Sequence, residues 1–148
     1  MNLLEVIELN ARYGDALDRF DLATWQALFT PDAVYRAQAR ENFDRRLPLA
    51  AIYLDGHGMM TDRITGIEKT LVFAPRFTRH IIGLPKIEGT SARTPFIIVQ
   101  TVTTGLPEIL ATGCYHDTLA STSDGIRLAA RNAVYDNALI PNSLVYPL

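Results

Sequence analysis

The first half of the chain repeats its apolar positions at the spacing of α-helices. Residues 3–20 place one stripe of side chains at this spacing, which predicts a first helix: Leu3, Val6, Ile7, Asn10, Tyr13, Gly14 and Leu17. Asp21 is a typical N-cap residue, and it predicts a second, short helix that buries Trp25. A short strand over 33–40 follows, and helical spacing returns over 56–71.

From Thr78 onward the apolar spacing changes to the two-residue period of β-strands. Four strands are predicted, over 78–84, 93–104, 108–120 and 126–137. The turn sequences Gly105-Leu106-Pro107 and Ser123-Asp124-Gly125 separate the last three strands. Helices followed by a run of strands predict an α+β domain, with a curved, mostly antiparallel sheet and the N-terminal helices on its concave face.

Size and charge narrow the classes of function. A chain of 148 residues suits one domain, and we assign 1–148 to it. The formal net charge of −2 gives no general attraction to nucleic acid or to a membrane surface. No apolar run approaches the roughly twenty residues of a membrane span, and Glu5 and Glu8 stand where a signal peptide would be apolar. We expect a cytoplasmic protein without nucleic-acid or membrane partners.

The residues that bind metals in proteins are scarce. One cysteine, Cys114, is too few for a Rieske cluster, which needs two cysteines and two histidines. The three histidines, His57, His80 and His116, lack the spacing of a mononuclear iron site with two histidines and a carboxylate. We therefore expect neither a metal nor a cofactor in this chain, and we expect Cys114 to be a small packed side chain.

Acid–base chemistry is the main enzymatic alternative. A buried carboxylate paired with a histidine can be tuned for proton transfer, and the candidates for such a pocket are Asp18, Tyr35, Asp62, His80 and His116. The catalytic set we would name is Asp18, His80 and Tyr35. The competing interpretation is structural: Asp62, Arg63, Arg79 and His80 form a polar network between helix and sheet, with Trp25 and Tyr35 in the core. A ligand-binding module without chemistry is a third possibility.

An ordered set of short strings resembles the small (beta) subunits of aromatic-ring-hydroxylating dioxygenases, especially those of terephthalate dioxygenase and of salicylate-type hydroxylases. The two most specific strings are M-x-D-R at Met60–Arg63 and R-H-I-I-G-L-P at Arg79–Pro85. The others are D-x-x-x-W-x-x-L-F at Asp21–Phe29, Asp32 and Tyr35, Glu41-Asn42, Leu47-Pro48, Ile52-Tyr53-x-Asp55, G-x-Y at Gly113–Tyr115, and an arginine in the last strand.

The resemblance implies a nuclear transport factor 2-like (NTF2-like, SnoaL-like) cone and a non-catalytic role. Such subunits trimerise and cap three large (alpha) subunits in an α3β3 oxygenase. The large subunit carries the Rieske cluster, the mononuclear iron and the aromatic substrate, and a reductase, sometimes with a ferredoxin, supplies electrons. An interface role predicts an apolar outer sheet face, and alternation places Ile97, Val99, Ile109 and Val134 there.

Overall fold

The computed structural model describes residues 1–140 and 144–148. The first helix, α1, spans Leu3–Asp18 and starts with a capping box, in which the Glu5 carboxylate accepts a hydrogen bond from the main-chain N of Asn2. It ends before residue 20, the predicted limit, because Phe20 has a positive φ of 58° that cannot continue a helix. The second helix, α2 (Leu22–Ala27), is capped by Asp21 as predicted.

The next elements are shorter and more varied than the pattern indicated. Strand β1 begins earlier than the predicted 33–40 and ends one residue sooner. A helix and a strand, neither of them predicted, follow before residue 56. The single helix predicted over 56–71 is an α-helix followed by one wider π-helical turn. The elements are β1 (Phe29–Ala39), α3 (Arg40–Asp44), β2 (Ile52–Asp55), α4 (Gly56–Thr65) and the π-helical turn Gly66–Thr70.

The four predicted C-terminal strands are all present, each within a few residues of its expected bounds. They are β3 (Arg76–Ile82), β5 (Ser91–Val102), β6 (Glu108–Thr122) and β7 (Gly125–Tyr135). A fifth strand, β4 (Lys86–Glu88), has three residues and pairs with β5. It was not predicted because so short a segment after Pro85 shows no readable alternation.

The strands form one sheet in the order β2-β1-β7-β6-β5-β3, with β4 beside β5. Strand β1 runs parallel to β7, and the other pairs among the described strands are antiparallel. The predicted mostly antiparallel α+β sheet is therefore confirmed. The parallel pair joins the first long strand to the last one, so both halves of the chain contribute to the middle of the sheet.

The two faces of the sheet differ in what covers them. Every second residue of β5 from Ala92 to Gln100 is buried, and α1, α2 and α4 pack on this inner face. One cluster of buried side chains extends from Val6 of α1 to Leu148. This core contains Trp25 and Tyr35, as predicted, each with no exposed surface.

The opposite face carries exposed apolar side chains, as predicted for Ile97 and Ile109. Ile81 lies opposite Ile97 across the β3–β5 pair, and Val99 lies opposite Ile109 across β5–β6. We call Phe77, Ile81, Ile97, Val99 and Ile109 the outer patch; the exposed fractions of Phe77, Ile81, Ile97 and Ile109 are 66%, 58%, 40% and 57%. Val134 does not belong to it, because it is 3% exposed and lies where α3 contacts β7.

Candidate functional site

The space between the helices and the inner face of the sheet is occupied by residues 144–148, which we call the closing segment. Leu148 is 1% exposed. Its main-chain N donates a hydrogen bond of 2.8 Å to the Tyr35 hydroxyl. The Tyr13 hydroxyl donates to its main-chain oxygen at 2.6 Å, and the Tyr35 hydroxyl contacts the same oxygen at 3.3 Å.

Arg63 of α4 holds the other end of the closing segment. Its Nη2 donates to the carbonyl oxygens of Val145, at 2.6 Å, and Leu144, at 3.1 Å. Partial burial lowers the pKa of Arg63, and the two carbonyls compensate part of the lost hydration. The ring of Tyr146 packs near Phe20 and Phe73, with centroid distances of 5.0 and 5.6 Å. Polar and aromatic contacts therefore fix the segment along its length.

Asp18 and His80 form a pair beside the closing segment. The Asp18 carboxylate Oδ1 lies 2.6 Å from His80 Nδ1, and the carboxylate also accepts from the main-chain N of His80 at 3.0 Å. Burial alone would raise the pKa of Asp18, but the hydrogen bonds and charge of His80 outweigh it and hold that pKa below its usual range. Asp18 therefore stays ionised and fixes the orientation of the imidazole.

Local sequence explains why this pair forms. Gly14 stands one turn before Asp18, and a Cβ added there would lie 3.2 Å from the Cβ of His80. The missing side chain lets α1 approach β3 closely, which brings the last turn of α1 onto His80. Of the sequence-predicted catalytic set, Asp18 and His80 are in contact, while the Tyr35 hydroxyl bonds to Leu148.

The free nitrogen of His80 meets a cavity that is too small for a substrate. His80 Nε2 is buried and has no hydrogen-bond partner among residues 1–140 and 144–148. It lines a cavity of about 10 Å³ together with Thr78, Gln100 and Val145. That volume holds about one water molecule. The geometry of a general base is thus present, but the space at Nε2 is too small for an organic substrate.

The predicted polar network of Asp62, Arg63, Arg79 and His80 is not one cluster. The carboxylate partner of His80 is Asp18 of α1, and not Asp62 of α4. Asp62 and Arg79 are both exposed, and neither side chain forms an ion pair within residues 1–140 and 144–148. Arg79 points outward because it alternates with Thr78 and His80 on β3. His80 and Arg63 each contact the core, but through different partners.

A buried ion pair that the sequence analysis did not single out lies deeper in the core. Arg131 of β7 donates to the Asp117 carboxylate of β6 through two hydrogen bonds of 2.8 and 2.7 Å, and to Asn10 at 2.6 Å. Its guanidinium carbon lies 4.1 Å from the ring centroids of both Tyr13 and Tyr115. Two features of the sequence could have indicated this ion pair: the arginine in the last strand, and the alternation that turns Asp117 to the face opposite His116.

His116, a further acid–base candidate, lies on the other side of the sheet. Its ring is 4.5 Å from that of Phe43 of α3. Burial and the nearby charge of Arg93 lower the pKa of His116, which favours the neutral imidazole. Because His116 lies on the other side of the sheet, it cannot join the Asp18–His80 pair.

Metal ligation and membrane spanning are two broader classes of site. Within the described residues, no three side chains of His, Cys, Asp or Glu come together as metal ligands. The described helices include none with the length and apolarity to cross a membrane.

The fold and the sequence have clear relatives. Residues 2–132 match the family described as SnoaL-like domain, so the chain is a SnoaL-like protein. The beta 2 subunit of the terminal oxygenase component of terephthalate 1,2-dioxygenase from Comamonas is 30% identical over 153 residues, covering 100% of this chain and 99% of the relative. The anthranilate 1,2-dioxygenase small subunit of Burkholderia cepacia is 28% identical, covering 97% and 92%.

Solved structures agree with these matches. The crystal structure of a beta subunit assigned to an aromatic-ring-hydroxylating dioxygenase of Novosphingobium aromaticivorans superposes with a TM-score of 0.88 at 34% identity. It covers 99% of this chain and 96% of that one. The chain therefore belongs to the family of small, or beta, subunits of aromatic-ring-hydroxylating dioxygenases.

Proposed function

We propose that this chain is a non-catalytic subunit that assembles and stabilises the large subunits of a Rieske non-haem iron aromatic-ring-hydroxylating dioxygenase. In this proposal three copies form a trimer and cap three large subunits in an α3β3 complex. The large subunits hold the Rieske cluster, the mononuclear iron and the aromatic substrate, and a reductase or ferredoxin delivers electrons to them. A cytoplasmic location belongs to the same proposal, and the free thiol of Cys114 is compatible with a reducing compartment.

The outer patch is the observation that carries this proposal. Phe77, Ile81, Ile97 and Ile109 are more than a third exposed on three neighbouring strands. Arg79 interrupts the set between Phe77 and Ile81 on β3. Isolated exposed apolar residues are ordinary, but several on neighbouring strands of one sheet face are typical of a subunit interface. The alternative role as a dehydratase, isomerase or cyclase has less support, because the closing segment fills the space that a substrate would need.

The polar groups of the core have a structural role in this proposal. The Asp18–His80 pair joins α1 to β3, and Arg63 joins α4 to the closing segment. Both connect elements that are distant along the chain, and they help to hold the helices on the sheet while the outer face stays available to other subunits.

Co-expression tests the proposal. The chain is produced with candidate dioxygenase large subunits of its source organism, and the mass of the product is measured by size-exclusion chromatography with light scattering. We expect co-elution at the mass of three plus three chains. The double variant Ile97→Lys/Ile109→Lys places two charges in the outer patch and should abolish or strongly weaken co-elution, because burying an unpaired ammonium group is very costly.

A matched control separates the interface from general surface effects. Leu4 of α1 is 70% exposed, so Leu4→Lys introduces the same charge far from the outer patch and should leave the complex intact. Circular dichroism checks that every variant keeps its fold. A wild-type chain that stays monomeric with all candidate large subunits would contradict the proposal, as would an unchanged complex of the double variant.

A further inference from the structure

A row of cationic and polar side chains crosses the outer face of the sheet. The strand registers place one residue from each of five neighbouring strands opposite the next, so their side chains project on the same face. We call this set the cationic row; from β4 to β1 it consists of Lys86, Arg93, His116, Asn132 and Arg36. Neighbouring strands lie about 4.8 Å apart, so the row extends over roughly 14 Å from β5 to β1.

The charges of the cationic row are only partly compensated within the chain. Among residues 1–140 and 144–148, neither Arg36 nor Arg93 forms an ion pair, and Nε of Arg36 is buried without a hydrogen-bond partner. Lys86 pairs with Glu88 at 3.2 Å, but both side chains are more than two-thirds exposed, so solvent screens the pair. Lys86 and Arg93 also lie directly opposite each other, which is unfavourable for like charges. A partner that brings carboxylates to this row would relieve both costs.

A depression of about 300 Å³ lies along one side of the row. Its lining combines cationic and hydroxyl-bearing side chains: Lys86, Ser91, Arg93, His116 and Thr118. The two carboxylates of the lining already have partners, because Glu88 pairs with Lys86 and Asp117 with Arg131. An additional acidic side chain placed in the depression would therefore meet the guanidinium of Arg93 and the nearby hydroxyl donors.

A second depression, of about 270 Å³, is also lined by Arg93 and His116 and reaches α3. Its carboxylates, those of Asp44 and Asp136, lie 3.6 and 3.1 Å from Arg40. Arg93 is therefore the cation of this lining that has no carboxylate partner in the described part of the chain. After burial, its charge is the main reason why the pKa of His116 is lowered, so its field is felt within the sheet face.

The cationic row borders the outer patch. Both lie on the outer face, and along β5 the outward-facing positions lead from Arg93 through Pro95 to Ile97. Four residues of extended strand separate Arg93 from Ile97, a distance of about 13 Å. Protein interfaces typically combine an apolar centre with a polar rim, and arginine is enriched in them. The outer patch and the cationic row thus have the composition of one continuous interface.

We propose that the cationic row is the docking site for an acidic segment of the dioxygenase large subunit, whose carboxylates enter the two depressions beside Arg93. One carboxylate accepts two parallel hydrogen bonds from the Arg93 guanidinium, a geometry that suits arginine. The outer patch supplies contact area, and the row fixes the orientation of the partner because opposite charges must meet. This inference rests on the proposed assembly role and names the chemistry of the surface that the chain meets.

The first experiment tests recognition of acidic segments by the full-length chain alone. The probe is a rhodamine-labelled hexaglutamate peptide, since six extended residues reach about 20 Å and can follow the row. Fluorescence anisotropy at low ionic strength measures its dissociation constant. We expect the wild type to bind the probe and Arg93→Glu to weaken binding about tenfold, because the substitution reverses the charge between the two depressions. Added salt should weaken the wild-type complex, and labelled hexaglutamine should not bind.

Arg12→Glu is the matched control. Arg12 is an exposed arginine of α1, on the other side of the sheet, and it forms no ion pair within the described residues. The same reversal of charge there should leave the affinity for hexaglutamate as in the wild type. Absence of binding by the wild type, or equal weakening by Arg12→Glu and Arg93→Glu, would overturn the proposal.

Two further measurements keep this test decisive. Labelled hexathymidylate carries the same sign of charge on a nucleic acid, and we expect it to bind more weakly than hexaglutamate; tighter binding would assign the row to nucleic acid and overturn the proposal. Circular dichroism checks the fold of each variant. Should Arg93→Glu fail to fold, the neutral variant Arg93→Gln replaces it, with an expected weakening of about threefold.

The second experiment uses the complex with the large subunit and separates this inference from the assembly role. Light scattering over a dilution series gives the dissociation constant of the co-expressed complex at several salt concentrations. Arg93→Glu should raise it about tenfold and reduce its salt dependence, whereas Arg12→Glu should change neither. If the wild type assembles and Arg93→Glu assembles equally well, the assembly role stands and this inference is wrong. A wild type that does not assemble contradicts the assembly role, and with it the partner named for the row.

Discussion

Arg131 is the charged residue on which the core depends most. It is 1% exposed and lies between the rings of Tyr13 and Tyr115. Burial alone would lower the pKa of Arg131, but the adjacent Asp117 carboxylate raises it above its usual range. The guanidinium therefore stays charged in the middle of the sheet, and its stability depends on the two hydrogen bonds that it donates to the Asp117 carboxylate.

Asp117→Asn is predicted to be strongly destabilising. The amide keeps the shape of the carboxylate but removes the charge that compensates Arg131, which we expect to cost about 3–5 kcal/mol of unfolding free energy. Urea unfolding followed by circular dichroism measures it. Asp124→Asn, which alters an exposed pair with Arg127, is the matched control and should change stability by less than about 0.5 kcal/mol. A similar cost for both variants would contradict this account.

The Asp18–His80 pair predicts a specific response to acid. The pKa of Asp18 is lower in the folded chain than the ordinary value of 3.8, so its stabilisation is complete above that value. It is lost as the pH falls through the folded-state pKa. The stability difference between the wild type and Asp18→Asn, from urea unfolding, should therefore be largest above pH 4 and should shrink below it.

Asp62→Asn is the control for this experiment. The Asp62 carboxylate is exposed on α4 and, within the described residues, forms no ion pair. Its substitution should leave the acid limb of the stability profile unchanged. If the difference in unfolding free energy between wild type and Asp18→Asn stayed constant down to pH 2, ionisation of Asp18 would add no stability to the folded chain.

The two interpretations of the sequence differed in the carboxylate they placed with His80: the acid–base set named Asp18, which is the observed partner, and the structural network named Asp62. His80 needed a helix carboxylate, and the helices offered both Asp18 and Asp62 at plausible positions. The choice depends on how closely each helix approaches β3, and that distance is set by Gly14 through tertiary packing. Arg131 and Asp117 escaped notice because each, taken singly, looks like an ordinary strand residue until the β6–β7 register places them side by side.

Among the secondary-structure elements, the contact between β6 and β7 depends on a glycine. A Cβ added at Gly113 would collide with the main chain of Val134 and Tyr135 on β7. The glycine of the G-x-Y string is therefore required by close approach of two strands, and Tyr115 two residues later faces the core beside Arg131.

Gly113→Ala is predicted to weaken the β6–β7 pair. The added methyl group meets backbone atoms that cannot rotate away, so we expect a loss of about 1–3 kcal/mol or more in unfolding free energy. Thermal unfolding followed by circular dichroism measures it. Gly58→Ala is the matched control, because a Cβ there meets nothing within 4 Å and the helix gains a better helix former. Equal stability of Gly113→Ala and wild type would refute the collision.

Periodicity predicted the long elements and failed on the short ones. The apolar stripe of α1 and the alternation of β5, β6 and β7 each extend over ten or more residues. Over that length the period stays recognisable even where single positions depart from it. β4 has three residues, β2 four and α3 five, so none completes a recognisable repeat. Their formation depends on neighbours: β2 pairs with β1 and β4 with β5.

At the scale of the whole molecule, the sequence predicted the layers but not how the interior is filled. Helices before strands, with alternation in the strands, are sufficient to predict an α+β sheet with one covered face. Nothing in the residues Leu144–Leu148 indicates that they return to the inner face, because their contacts with Tyr13, Tyr35 and Arg63 come from parts of the chain more than eighty residues away. No single motif identifies the family of the chain. It was recognisable because several short sequence motifs occur in the same order as in that family.

The parallel pair of β1 and β7 also has a consequence for the order of folding. β1 ends at Ala39 and β7 begins at Gly125, so this central pair cannot form until nearly the whole chain has left the ribosome. Until then the β1–β2 pair cannot join the β3–β5–β6 part of the sheet, and the apolar surface that β7 would bury stays open to chaperones or to other chains. Pairing across so long a loop is slow, so the time between synthesis and assembly is set by the search of the last strand for the first.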